Sequence, residues 1–60
     1  MGTCKDTNGD TWEIYKNRDG WRWRRTASNG RIVGASTEPY EGKTHCIENA
    51  RRNGMGCNPI

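Results

Sequence analysis

A chain of 60 residues with 30% hydrophobic residues, no Leu and no Phe makes one domain at most, and a domain this short buries only about 60% of the surface its unfolded form exposes. A net charge of +3 and a pI near 9.0 suit contact with phosphate backbones, and no apolar run approaches the ~20 residues that a membrane-spanning helix needs. The three tryptophans and two tyrosines argue against disorder, because each buried ring removes about 150–250 Å² from water.

Residues 1–11 are polar and rich in turn formers, with Asn8-Gly9-Asp10 as a loop, so they are expected to form a flexible N-terminal leader. The run Trp12-Glu13-Ile14-Tyr15-Lys16 alternates, and only an extended backbone sorts such a run onto two faces, with Trp12 and Ile14 on one side and Glu13 and Tyr15 on the other. Asn17-Arg18-Asp19-Gly20 supplies turn formers for a hairpin loop of three to five residues. A second strand, Trp21 to Ala27, then places Trp21, Trp23, Arg25 and Ala27 on one face and Arg22, Arg24 and Thr26 on the other.

Asn29-Gly30 is the strongest short hairpin signal in the chain, and a two-residue type I′ turn there pairs Ala27 with Ile32, Thr26 with Val33, Arg25 with Gly34, Arg24 with Ala35 and Trp23 with Ser36. After Glu38-Pro39-Tyr40 the period changes from two to helical. Cys46, Ile47 and Ala50 make an apolar stripe on a helix from about Lys43 to Asn53, and Asn53-Gly54 stops it. Residues 55–60 carry no clear period.

The aliphatic core candidates are Ile14, Ile32, Val33, Ile47 and Ile60, few enough that a staple, a metal or a second subunit is expected. Cys4, Cys46 and Cys57 are odd in number and follow no apolar signal segment, so reduced thiols in a cytoplasmic setting are expected. Their wide spacing, with only His45 beside one of them, does not suit a zinc site, and no cofactor is expected. A shared sheet with a second copy is left as the source of the missing core.

The order Trp-Glu-Ile-Tyr-Lys, Gly-Trp-Arg-Trp-Arg and Ala-Ser-Asn-Gly-Arg-Ile-Val, followed by Tyr40, Lys43, Ile47, Arg51 and Asn53, resembles the YegP-like family of small uncharacterised domains over Trp12 to Asn53. The resemblance implies an α+β unit of β-β-β-α(-β) form, with an antiparallel sheet packed by one short helix. It spans residues 12–54, with residues 55–60 as a tail or a strand exchanged with a second subunit. It therefore implies a homodimer. It implies no catalytic, cofactor or metal residue.

For function, Arg22, Arg24 and Arg31 are expected to share the sheet face that carries Tyr15. Arginines bind phosphates and a neighbouring aromatic ring stacks on a base, which is the pattern of sequence-tolerant nucleic-acid binding. Against this, Glu13 lies on the same face and can pair with the arginines across strands. Trp21 and Trp23 read as core rather than as a ligand platform. His45 and Cys46 are helix neighbours that point about 100° apart, and no carboxylate pair is placed for acid/base work, so an enzyme is disfavoured. The reading is a homodimeric, non-catalytic binding or accessory module without membrane contact. The alternatives are a nucleic-acid binder using Tyr15, Arg22, Arg24 and Arg31, and a thiol-dependent redox protein.

Overall fold

The computed structural model describes residues 2–59 and forms an α+β domain, a four-stranded antiparallel sheet followed by one short helix. Strands β1 (Gly2–Lys5), β2 (Thr11–Asn17), β3 (Gly20–Thr26) and β4 (Ile32–Ala35) lie in chain order across the sheet, and helix α1 (Lys43–Arg52) covers one face. The core candidate Ile60 lies outside the described residues.

Alternation sets the two faces as the sequence predicts. In β2 and β3, Ile14 pairs with Trp23 and Trp12 with Arg25, while Tyr15 pairs with Arg22 and Glu13 with Arg24. The first set faces α1, where Trp12, Ile14, Trp23, Cys46, Ala50 and Met55 make the buried core. The rings of Trp12 and Trp23 lie tilted with centroids 5.3 Å apart. Both indole N–H groups are satisfied, Trp12 Nε1 donating to Asp6 Oδ2 at 2.8 Å and Trp23 Nε1 to Asn49 Oδ1 on α1 at 2.8 Å. A buried indole thereby keeps its apolar contact without stranding a donor.

Arg25 interrupts the apolar face, and the structure gives it a partner. Its guanidinium lies over the Trp12 ring at 5.0 Å and bonds Asp10, with Nη2 at 2.6 Å and Nε at 2.7 Å from Oδ2. The guanidinium thus turns toward β2 rather than across Gly34, its partner on β4, where the Trp23 ring lies 3.5 Å from the place of a Cβ.

Within the stretch expected to be a flexible leader, residues 2–11 form a strand and a turn. Gly2–Lys5 pairs with β2 as an outer strand, setting Cys4 opposite Trp12 and Gly2 opposite Ile14. A compact turn joins the two strands: Gly9 N–H donates to Asp6 O, Asp6 N–H donates to Asp10 O, and Gly9 takes φ +84°. The Asp6 carboxylate organises it, Oδ1 accepting from the N–H groups of Asn8 and Asp10 while Oδ2 accepts from Trp12.

The Asn29-Gly30 turn differs from expectation in the same way. Gly30 N–H donates to Ala27 O, Ala27 N–H donates to Arg31 O, and only Gly30 has positive φ, so the loop has three residues and a bulge rather than a two-residue type I′ turn. Arg24 still meets Ala35 and Arg25 meets Gly34, but the register shifts so that Thr26 meets Ile32. The shift moves Ile32 off the core face. Ile32 is 62% and Val33 55% exposed, so neither supplies the core expected of it. The Asn17-Gly20 turn is in turn tighter than expected, with two residues, Arg18 and Asp19, between paired ends.

The helix has the expected bounds. At its end, Gly54 N–H donates to Arg51 O and Met55 N–H to Ala50 O, with Gly54 at φ +110°. This Schellman pattern turns the chain back and buries Met55 beside Ala50. Residues 55–59 form no strand; the fourth strand is β1.

The tail is bonded instead. Cys4 and Cys57 form a disulfide with Cα atoms 5.9 Å apart, and Cys46 is the free, buried cysteine. The expectation of reduced thiols and no cysteine staple is therefore corrected. Two cysteines 53 positions apart carry no spacing signal, and only the pairing of β1 with β2 and the Schellman reversal bring them together. The bond argues against a plain cytoplasmic setting without deciding the compartment.

Candidate functional site

Tyr15, Arg22 and Arg24 lie on the sheet face that α1 leaves open, Tyr15 directly opposite Arg22 and Arg24 directly opposite Glu13. Both arginines are already engaged. Arg22 Nη2 stands 2.7 Å from Asp19 Oδ2, and Arg24 bonds Glu13 through Nε at 3.0 Å and through Nη2. These carboxylates raise the pKa of each guanidinium, Asp19 acting on Arg22 and Glu13 on Arg24 through hydrogen bond and charge. The Arg24 guanidinium also sits 5.1 Å from the Tyr15 ring centroid, so the ring that was expected to stack on a base is covered by its own neighbour.

Arg31 does not join this group. It lies beyond the bulge in the β3–β4 connection, exposed, its N–H held by Asn29 Oδ1 at 3.0 Å. The structure thus brings together three of the four predicted residues and neutralises two of them, which leaves a weak field on the open face.

The sequence reading missed two features. The first is the outer edge of the sheet at β4. Ser36 N–H donates inward to Trp23 O at 3.0 Å, so ladder alternation turns the backbone groups of the preceding Ala35 outward. The exposed large hydrophobics, Ile32 and Val33, lie on this same strand. The second is a shallow cleft of about 420 Å³ between the β4–α1 connection and the helix, lined by Glu38, Tyr40, His45, Glu48, Asn49 and Arg52. It exists because Tyr40 returns to β3, exchanging backbone hydrogen bonds with Trp21 at 2.7 and 2.9 Å. Burial, and then the Glu38 charge, push the Tyr40 phenol up from its ordinary value. Its lining mixes both signs of charge.

The remaining chemical groups are placed as follows. Trp23 is core, and Trp21 is half-buried with the ammonium groups of Lys16 and Lys43 at 5.9 and 5.7 Å from its ring. His45 is exposed, whereas Cys46 is buried and its thiol is pushed up by desolvation, away from the thiolate a nucleophile needs. Among the described residues no group of three or more His, Cys, Asp or Glu is arranged to hold a metal ion, and no helix is long and apolar enough to cross a membrane. Comparison with protein-family models, with curated proteins and with solved structures finds no match to this chain.

Proposed function

We propose that the chain is a non-catalytic binding module that works as a homodimer, two copies joining antiparallel along β4 into one continuous sheet. The observation that carries this reading is the coincidence of an unpaired strand edge with the exposed Ile32 and Val33. An edge with free backbone donors and acceptors and apolar side chains is a template for another strand. The β4 sequence complements itself: a twofold at Gly34 sets Val33 opposite Ala35 and Ile32 opposite Ser36 of the second copy, large against small. The opposite edge, β1, is bound to the tail through Cys57, which favours β4. The buried Cys46 and the bonded Cys4 and Cys57 support a binding role over thiol chemistry.

Sedimentation equilibrium tests the reading. The expected result is a mass of two chains that falls to one in Val33→Lys, with the far-UV spectrum retained. A single-chain mass at every working concentration would overturn it. Nucleic-acid binding through Tyr15, Arg22, Arg24 and Arg31 has less support, since Asp19 and Glu13 occupy two of its arginines. Oligonucleotide affinity that is absent at low salt, or insensitive to salt, excludes it.

A further inference from the structure

We propose that the Cys4–Cys57 disulfide is a redox gate on folding: the chain holds this fold when the bond is formed and loses it when the bond is reduced. The bond joins the two segments with the least other support. β1 has four residues and pairs only with β2, and residues 55–59 after α1 form no strand. Yet both segments close the core, since Gly2 and Met55 are buried and Cys4 and Cys57 pack against the Trp12 cluster. Releasing the tail takes Met55 from that cluster, and releasing β1 uncovers β2.

The size of the effect follows from chain entropy. A cross-link between positions 53 apart removes enough freedom from the unfolded chain to favour folding by roughly a thousandfold. That is about 4 kcal/mol at ~1.4 kcal/mol per tenfold. Domains of this length carry folding constants on the order of 10²–10⁶, so a thousandfold loss leaves roughly 10⁻¹–10³, and a chain in the lower part of the range, where so thin a core places this one, falls near or below even balance between folded and unfolded states. Ile32 and Val33, two of the few aliphatic residues in the chain, are exposed on β4 and add nothing to the core, which leaves it no reserve.

Oxidation is a two-electron exchange. The thiolates of Cys4 and Cys57 give up two electrons and form one S–S bond, while a small-molecule disulfide such as oxidised glutathione accepts them and leaves as two thiols. Cys46 takes no part, because it stays buried as a thiol.

Reduction of the unmodified protein is the cleanest test, since it changes no side chain other than the bonded pair. The near-UV dichroism of the Trp12–Trp23 pair and the alkylation rate of Cys46 report the fold. Treatment with a phosphine at neutral pH is expected to lower Tm by about 30 °C and to let Cys46 react as a free thiol, and oxidised glutathione is expected to restore both. Cys46→Ala, which leaves one pair to bond, is expected to show the same fall on reduction. A reduced chain that melts within a few degrees of the oxidised one with Cys46 still protected would overturn the proposal. So would mass mapping that finds Cys46 bonded in the native protein.

Discussion

Gly20 occupies a backbone position that no other residue fills without loss. It closes the β2–β3 turn at φ +138°, and a Cβ built there falls 2.7 Å from the Tyr40 carbonyl oxygen and 3.2 Å from Pro39 Cβ. The first contact is with backbone, so it is relieved only by pushing Tyr40 away from β3. That motion breaks the pair of hydrogen bonds between Trp21 and Tyr40. Positive φ in an alanine costs about 1–2 kcal/mol, and two backbone bonds at about 1 kcal/mol each raise the total for Gly20→Ala to about 3–4 kcal/mol. Gly30 provides the control. It also has positive φ, at +89°, but a Cβ there meets nothing within 4 Å, so Gly30→Ala costs the conformational part alone, about 1–2 kcal/mol. The gain from a stiffer unfolded chain is common to both and cancels in the comparison. With an unfolding entropy of about 2.1 cal/mol/K per residue over a chain of 60, each kcal/mol moves Tm by about 8 °C. Thermal melts of the oxidised proteins are therefore expected to place Gly20→Ala about 16 °C below Gly30→Ala. Equal melting temperatures for the two variants would refute the steric argument and, with it, the importance of the Trp21–Tyr40 bridge.

Two further outcomes follow from single polar contacts. The Asp6 carboxylate is held below the ordinary aspartate range, chiefly by the hydrogen bond from Trp12 Nε1 and then by the N–H groups of Asp10 and Asn8. A depressed carboxylate stabilises the fold fully above its unfolded value near ~3.9 and ceases to do so as pH falls through the lower folded value. Asp6→Asn is thus expected to flatten the acid limb of a urea-midpoint profile below about pH 4, and an unchanged limb removes Asp6 as its source. Asn49→Ala strands the buried Trp23 N–H and is expected to cost about 1–2 kcal/mol by urea titration. Asn49→Asp, which keeps an acceptor at the same place, is expected to recover most of that loss.

The parts of the fold legible in the sequence are those in which many residues repeat one signal. Alternation over Trp12 to Lys16 and Trp21 to Arg25 carries the two faces and the β2–β3 pairing, and the Cys46 and Ala50 stripe carries the helix. What stayed hidden depended on one residue or on distant pairs. A three-residue loop after Ala27, compensated by Val33 as the extra residue of a bulge in β4, sets Ile32 opposite Thr26 and sends it to solvent, and Asn-Gly dipeptides fit both turn types. Gly2-Thr3-Cys4-Lys5 has too little alternation to announce a strand, and its strand exists because β2 offers it an edge. The disulfide is legible only once that strand is in place.

The candidate site shows the same limit in electrostatic form. Arg22-Trp23-Arg24-Arg25 reads as a basic patch, but each of its arginines meets a carboxylate: Asp19, Glu13 and Asp10 respectively. Two of these acids lie in turns and one on the neighbouring strand, so composition counts the charges without showing that they cancel locally. Lys5, Lys16, Arg18, Arg31 and Lys43 make no ion pair among the described residues; Lys16, Arg18, Arg31 and Lys43 sit at hairpin tips, a strand end and the start of α1, and Lys5, opposite Thr11, stands at the end of β1 on the rim of the open face. Exposed pairs contribute little to stability, but they do decide what the surface presents. Here they leave an open face that is nearly neutral and an edge at β4 that is apolar. Association through the backbone and aliphatic side chains of β4 is therefore favoured over attraction of a polyanion to the face.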